Sequence, residues 1–280
     1  MQQMKNTFAI ILTTLILTAC EKTVYLDLNQ NNPTIIIEGQ VTNHTSHQYI
    51  KITRSVGFYE TGQSPRVDDA IVMVTDDAGN EFEFIHNPGG YADSIGFYRP
   101  AIPFAGEIGR TYKLSATVDG QLYEAEDTLL PVTTIDSLSY RINDDELEDP
   151  KDDGKFYEVL MYALEPQDRT DYYLFKFYRN DSLKVYNDTD IYYADDEILG
   201  EQIDGVPSPI YYSPGDTARV EAYSLSRNGF VFYNDLQTLL NSDGGLFSQP
   251  PSNSRTNLSN GALGYFQASA MDMKEIVIKE

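Results

Sequence analysis

The chain has 280 residues, 43 acidic against 20 basic side chains, a formal net charge of −23, one cysteine and no tryptophan. At roughly 150 residues per domain this length predicts about two domains. A hydrophobic content of 41% argues against a disordered acidic tail. The single cysteine excludes a disulfide-stapled scaffold and a cysteine zinc cluster, and the charge opposes binding to polyanionic DNA or RNA.

Lys5 is the only charged residue before position 20, and Phe8 to Leu17 is apolar except for Thr13 and Thr14. A positive start, a short apolar run and a small residue before cleavage read as a secretory signal peptide over 1–19. The run falls short of the about 20 apolar residues a spanning helix needs. Leu17-Thr18-Ala19-Cys20 resembles the bacterial lipobox, in which the cysteine thiol is acylated and becomes the new amino terminus. Lipidation of Cys20, with palmitate-type chains, is therefore expected; the competing reading is an ordinary signal peptide followed by a stray thiol. The next residue is Glu21 and not aspartate, so an inner-membrane retention signal is missing and the outer membrane is the expected location, on either its periplasmic or its outer face. Residues 20–33, with the polar run Asn29 to Asn32 before Pro33, read as a lipidated tether.

From Thr34 the pattern is strands. Thr34–Val41, Tyr49–Arg54, Ile71–Thr75, Glu81–Phe84, Thr111–Val118 and Gln121–Thr128 are β-branched or alternate with period two, and Asp119-Gly120 is a hairpin signal. Short strands at this spacing predict an immunoglobulin-like or transthyretin-like β-sandwich over 34–132. A second β domain is expected over 133–280. Its strands are Ile135–Ile142, Phe156–Leu164, Asp171–Asn180, Ser182–Tyr186, Arg219–Leu225, Leu263–Ala270 and Lys274–Ile278. One helix is predicted at about 226–241: Ser226 is an N-cap residue, Phe230, Tyr233, Leu236 and Leu240 recur at helical spacing, and Asp243-Gly244-Gly245 supplies a stop. The fold class expected is thus mostly β.

Several of these pieces occur together in one known pattern. The processing site is followed by Val24-Tyr25-Leu26-Asp27-Leu28, Ile36-Ile37-Glu38-Gly39, Val74-Thr75-Asp76-Asp77-Ala78-Gly79, Gly109-Arg110-Thr111-Tyr112, Ile135-Asp136-Ser137 and the run Asn257 to Phe266. In that order they resemble the Bacteroidota lipoproteins catalogued as domain of unknown function 4249, across nearly the whole chain after Cys20. The resemblance implies cell-envelope lipoproteins, often encoded near TonB-dependent outer-membrane receptors. It implies no activity, cofactor or catalytic residue.

Few constellations carry chemistry. No phosphate-cradling glycine motif and no Gly-x-Ser-x-Gly elbow occurs. His44 and His47 lie between strands, where zinc would need a third ligand from elsewhere, so a solvated loop is the default. The acidic stretch Asn143 to Gly154 contains Asp149, Asp152 and Asp153 beside a turn glycine, weak calcium candidates without EF-hand spacing, and a hydrated hairpin loop is the default there. Twenty-one tyrosines raise glycan stacking, although strand tyrosines more often pack with their hydroxyl reaching water. Within the long polar loop Ser248 to Gly261, residues Gln249–Gly261 are the best candidate binding site, offering Arg255, Asn257 and Asn260; its competing role is to cover a sheet edge. No cofactor is expected. The function expected is a non-catalytic outer-membrane lipoprotein, held by its lipid and accessory to a TonB-dependent receptor. The alternatives are glycan or peptide capture, or an enzyme built on paired carboxylates.

Overall fold

A computed structural model describes residues 33–57, 62–143, 148–149, 151–196, 200, 202–242 and 253–280. The leader, Cys20, the tether up to Asn32, Asp144 to Glu146, and the expected helix stop at 243–245 lie outside the described residues.

Alternation builds the first sheet. The strands are β1 (Ile35–Thr42), β2 (Tyr49–Arg54), β3 (Ile71–Asp76), β4 (Glu81–His86), β5 (Phe97–Pro100), β6 (Thr111–Val118) and β7 (Gln121–Thr128). One face of these strands sends Ile37, Val41, Ile50, Ile52, Val72, Val74, Leu114, Ala116 and Val118 into a shared core. The turn joining β6 to β7 has positive φ at both Asp119 and Gly120, the backbone a two-residue hairpin needs to match strand twist.

The second half supplies β8 (Ile135–Ile142), β9 (Tyr157–Leu164), β10 (Tyr172–Arg179), β11 (Ser182–Lys184), β12 (Tyr192–Asp195), β13 (Gln202–Tyr212), β14 (Thr217–Leu225), helix α1 (Arg227–Leu240), β15 (Leu263–Ser269) and β16 (Met271–Val277). Strands β13-β9-β8 form one sheet. A second sheet runs β11-β10-β14-β16, with β12 also on β10. The two share a core of Val159, Met161, Tyr173, Phe175, Ile203, Tyr212, Val220 and Ala222. Helix α1 starts where expected, with the Ser226 hydroxyl accepting from Gly229 N at 3.1 Å. Its Phe230 and Tyr233 pack on Leu174, Tyr223, Leu225 and Met271, on the opposite face of the β10–β14 sheet.

Strand β15 leaves the second half. It pairs in parallel with β1, giving the first sheet the order β15-β1-β2-β5-β4-β3-β6-β7. The division expected at residue 132 is therefore crossed by the chain: Leu258, Ala262, Phe266, Ala268 and Ala270 belong to the first core, and Pro33–Glu280 is one compact unit. Two glycines permit the close approach. A Cβ on Gly39 would lie 2.7 Å from the Phe266 ring. Gly264, opposite Ile37 with φ +96°, would push a Cβ onto the Ile37 carbonyl oxygen. Strands β5, β12 and β13 have no counterpart in the expected elements. β13 carries Pro207 and Pro209 and shifts register against β9, as prolines require of an edge strand. Among the described residues no helix is long and apolar enough to cross a membrane.

Candidate functional site

The described part of the loop singled out by sequence, residues 253–261, forms a seam. Strand β15 pairs with β1 on one side, and on its other side it faces β7 with no strand between them. Side chains fill that role. Asn257 accepts from Phe266 N at 3.0 Å and donates to Phe266 O at 2.7 Å and to Glu126 O at 3.0 Å. Ser259 donates its N–H to Glu124 O, and its hydroxyl accepts from Glu124 N, both at 2.8 Å. Asn260 donates to Leu122 O at 2.7 Å and holds φ +54°. Farther along, Asp127 accepts from Ala268 N at 3.1 Å and is 8% exposed. Burial outweighs its hydrogen bonds and pushes its carboxyl up to about 6. Arg255 stands at the rim, exposed, gripping Asp235 of α1 through two side-chain bonds of 2.7 Å. Asn257 and Asn260 thus lie in the wall, and Arg255 fastens the wall to the helix.

Asp149 and Asp152 of the acidic segment close over a cation. Arg179, at the end of β10, is 4% exposed. Its guanidinium bonds the Tyr211 carbonyl at 2.8 Å, Asp149 at 3.3 Å and Asp152. Asp149 also accepts from the backbone of Lys151 at 2.9 Å, and Lys184 lies 3.6 Å from Asp152. Asp153 is exposed. The weak calcium candidates therefore divide, two serving an arginine and one facing solvent. Among the described residues no three His, Cys, Asp or Glu side chains gather into one cluster that could hold a metal ion, here or elsewhere.

A polar cleft of about 530 Å³ is lined by residues 166–170, Asp196 and Gly200. Next to it Glu165 is 2% exposed and takes a 2.6 Å bond from the Tyr173 hydroxyl, which also lies 3.1 Å from Asp171. Burial raises the pKa of Glu165, and the charges of Asp171 and Asp196 add to this against the Tyr173 bond. Arg169 neutralises Asp171 at 2.6 Å.

The remaining polar cluster sits where the outer face of β1, β2 and β15 meets the face of β10 and β14. Glu221 is central and 1% exposed. It accepts from the Tyr223 hydroxyl at 2.6 Å and from Arg219 at 3.1 Å, and His47 Nε2 stands 3.8 Å away, an ion-pair distance longer than a hydrogen bond. Burial pushes this carboxyl up, but His47, Tyr223 and Arg219 together outweigh it and hold the group at about 2. Lys176 lies over the Tyr223 ring at 4.5 Å and 3.5 Å from Gln40 Oε1. Tyr233 of α1 donates to Gln267 of β15 at 2.7 Å. Sequence reading missed this cluster. Arg219, Glu221 and Tyr223 alternate with Val220 and Ala222, a pattern that reads as a solvent face; only the return of β15 and the placing of α1 cover it.

No curated protein matches the chain. One family pattern does, described as Domain of unknown function (DUF4249), over residues 21–275. That match spans the first sheet, the buried polar cluster and the Asn257 seam alike, and the chain belongs to the DUF4249 family.

Proposed function

We propose that this chain is a non-catalytic lipoprotein, anchored in the outer membrane through acylated Cys20, that binds a protein partner there. The partner class put forward is a TonB-dependent receptor, as the family resemblance implies. One observation carries the reading. The family match opens at residue 21, immediately after Cys20, so the boundary between apolar leader and family domain coincides with the lipobox. Two or three acyl chains, at about 0.8 kcal/mol per buried methylene, hold a protein on a bilayer where one chain binds marginally. Confinement to the membrane plane raises the effective concentration near a partner without any new contact. Arg255, Asn257, Asn260, Asp149 and Asp152 are engaged with the chain itself, which favours a surface that docks over a pocket that turns over substrate.

The test is affinity capture of the full-length protein from mildly solubilised membranes after cross-linking, read by mass spectrometry. Stoichiometric recovery of an outer-membrane receptor is expected. Recovery of the protein alone contradicts the partner assignment.

A further inference from the structure

We propose that the turn between β1 and β2 is a binding site for a divalent transition-metal ion of the zinc, copper and nickel class, with His44, Ser46 and His47 as donors. The turn closes with His47 N donating to His44 O at 3.2 Å. Thr42 pins its first residue, accepting from His44 N at 3.1 Å and donating to His44 O at 3.0 Å. Gln40 pins the last, donating to His47 O at 3.0 Å. Gln48 ties the turn's base to Thr42 O and Phe104 O. The backbone is thus set before any ion arrives.

On this frame three donor atoms form a triangle. His44 Nδ1 and His47 Nδ1 are 3.2 Å apart, and Ser46 Oγ is 3.1 Å from each. Zinc–imidazole bonds of about 2.0–2.1 Å at tetrahedral angles put neighbouring donors roughly 3.3 Å apart. The triangle therefore has the size of one face of a metal's coordination shell. Imidazole nitrogens suit zinc, copper and nickel, and not calcium or magnesium.

A second observation, on another strand, supports the same occupant. Glu221 of β14 is buried and stands 3.8 Å from the far nitrogen of His47, Nε2. A carboxylate there favours the proton on Nε2 and leaves the Nδ1 lone pair facing Ser46 and His44. The 3.8 Å gap is longer than a hydrogen bond, and closing it when an ion binds would give the carboxylate–histidine arrangement that orients metal ligands. Glu221 is accordingly a positioning residue. His44 and Ser46 are exposed, so the remaining coordination positions face solvent.

The experiment uses the full-length protein in detergent, made without a histidine tag and stripped with chelator. Calorimetric titration with Zn²⁺ is expected to show one saturable ion, and Co²⁺ is expected to give the visible spectrum of nitrogen ligation. His44→Ala and His47→Ala each lose this binding. His44 is exposed, so its variant keeps the parent's circular dichroism. Glu221→Gln weakens affinity about 10–100-fold and shifts the His47 ring ¹⁵N resonances away from the Nε2–H tautomer. The proposal is overturned if Zn²⁺, Cu²⁺ and Ni²⁺ all fail to bind the parent at about 1 mM, or if both histidine variants bind as the parent does. Parent-like affinity and His47 resonances in Glu221→Gln overturn the role given to Glu221.

Discussion

Strand alternation buries different chemistry in the two halves of the protein. In β1, β2, β3 and β6 the inward positions hold Ile37, Ile50, Val72 and Leu114, and the core they make is apolar. In β9, β10 and β14 the covered positions also include Glu158, Arg179 and Glu221, and the loops between them bury Glu165, Asp171 and Asp216. An apolar core tolerates loss of one contact in proportion to the volume removed. A buried charge requires its partner, because the survivor is left desolvated. The first half is thus a scaffold whose stability is spread over many apolar contacts, and the second adds to an apolar core of its own several buried charges that each depend on a partner.

The largest expected effect breaks one of those pairs. Arg179→Ala strands Asp149 and removes the donor to the Tyr211 carbonyl, and should cost about 3–5 kcal/mol in chemical denaturation. Replacing both partners, as Arg179→Met with Asp149→Leu, should recover much of that loss. If the single and double variants are equally unstable, charge pairing is not what holds this region.

Asp127 is the exception within the first half. Its folded-state pKa of about 6 lies above the unfolded value near 3.9, so the folded protein binds the extra proton between these limits. Stability should therefore fall as pH rises from about 4 to about 6, by about 2–3 kcal/mol, and stay level above that window as far as this group is concerned. Asp127→Asn should flatten this slope in denaturation curves taken across the window. A slope unchanged by the substitution assigns it to another carboxyl.

Within the seam the two expected binding residues should separate. Asn257→Ala leaves both the N–H and the carbonyl of Phe266 unpaired at that edge and should cost about 1–3 kcal/mol. Arg255→Ala removes an exposed pair with Asp235 and should leave the thermal midpoint almost where it was. Equal losses would mean that Arg255 carries more of the closure than its exposure allows.

Local pattern was enough for β1 to β4, β6 and β7 of the first sheet but not for the short β5, because a half-buried strand prints its face on every second residue and Asp119-Gly120 prints its turn. The Ser226 cap and the apolar stripe of α1 were equally readable. Partners distant in sequence were not. Nothing near Leu263 says that β15 will run parallel to β1, so the Asn257 loop read as a possible site or as an edge cover, with no indication of which edge its bonds close. The same distance hid Glu221, whose neighbours Arg219 and Tyr223 imitate a surface. His44 and His47 were visible, but the Ser46 hydroxyl counts as a third donor only once the turn fixes where it points.

The reading of this protein as a membrane-anchored member of its family rests on Cys20. Metabolic labelling with radioactive palmitate, followed by membrane fractionation, compares the parent with Cys20→Ser. The account predicts label and membrane sedimentation in the parent and neither in the variant. An unlabelled parent, or a Cys20→Ser protein that sediments with membranes as the parent does, would contradict it.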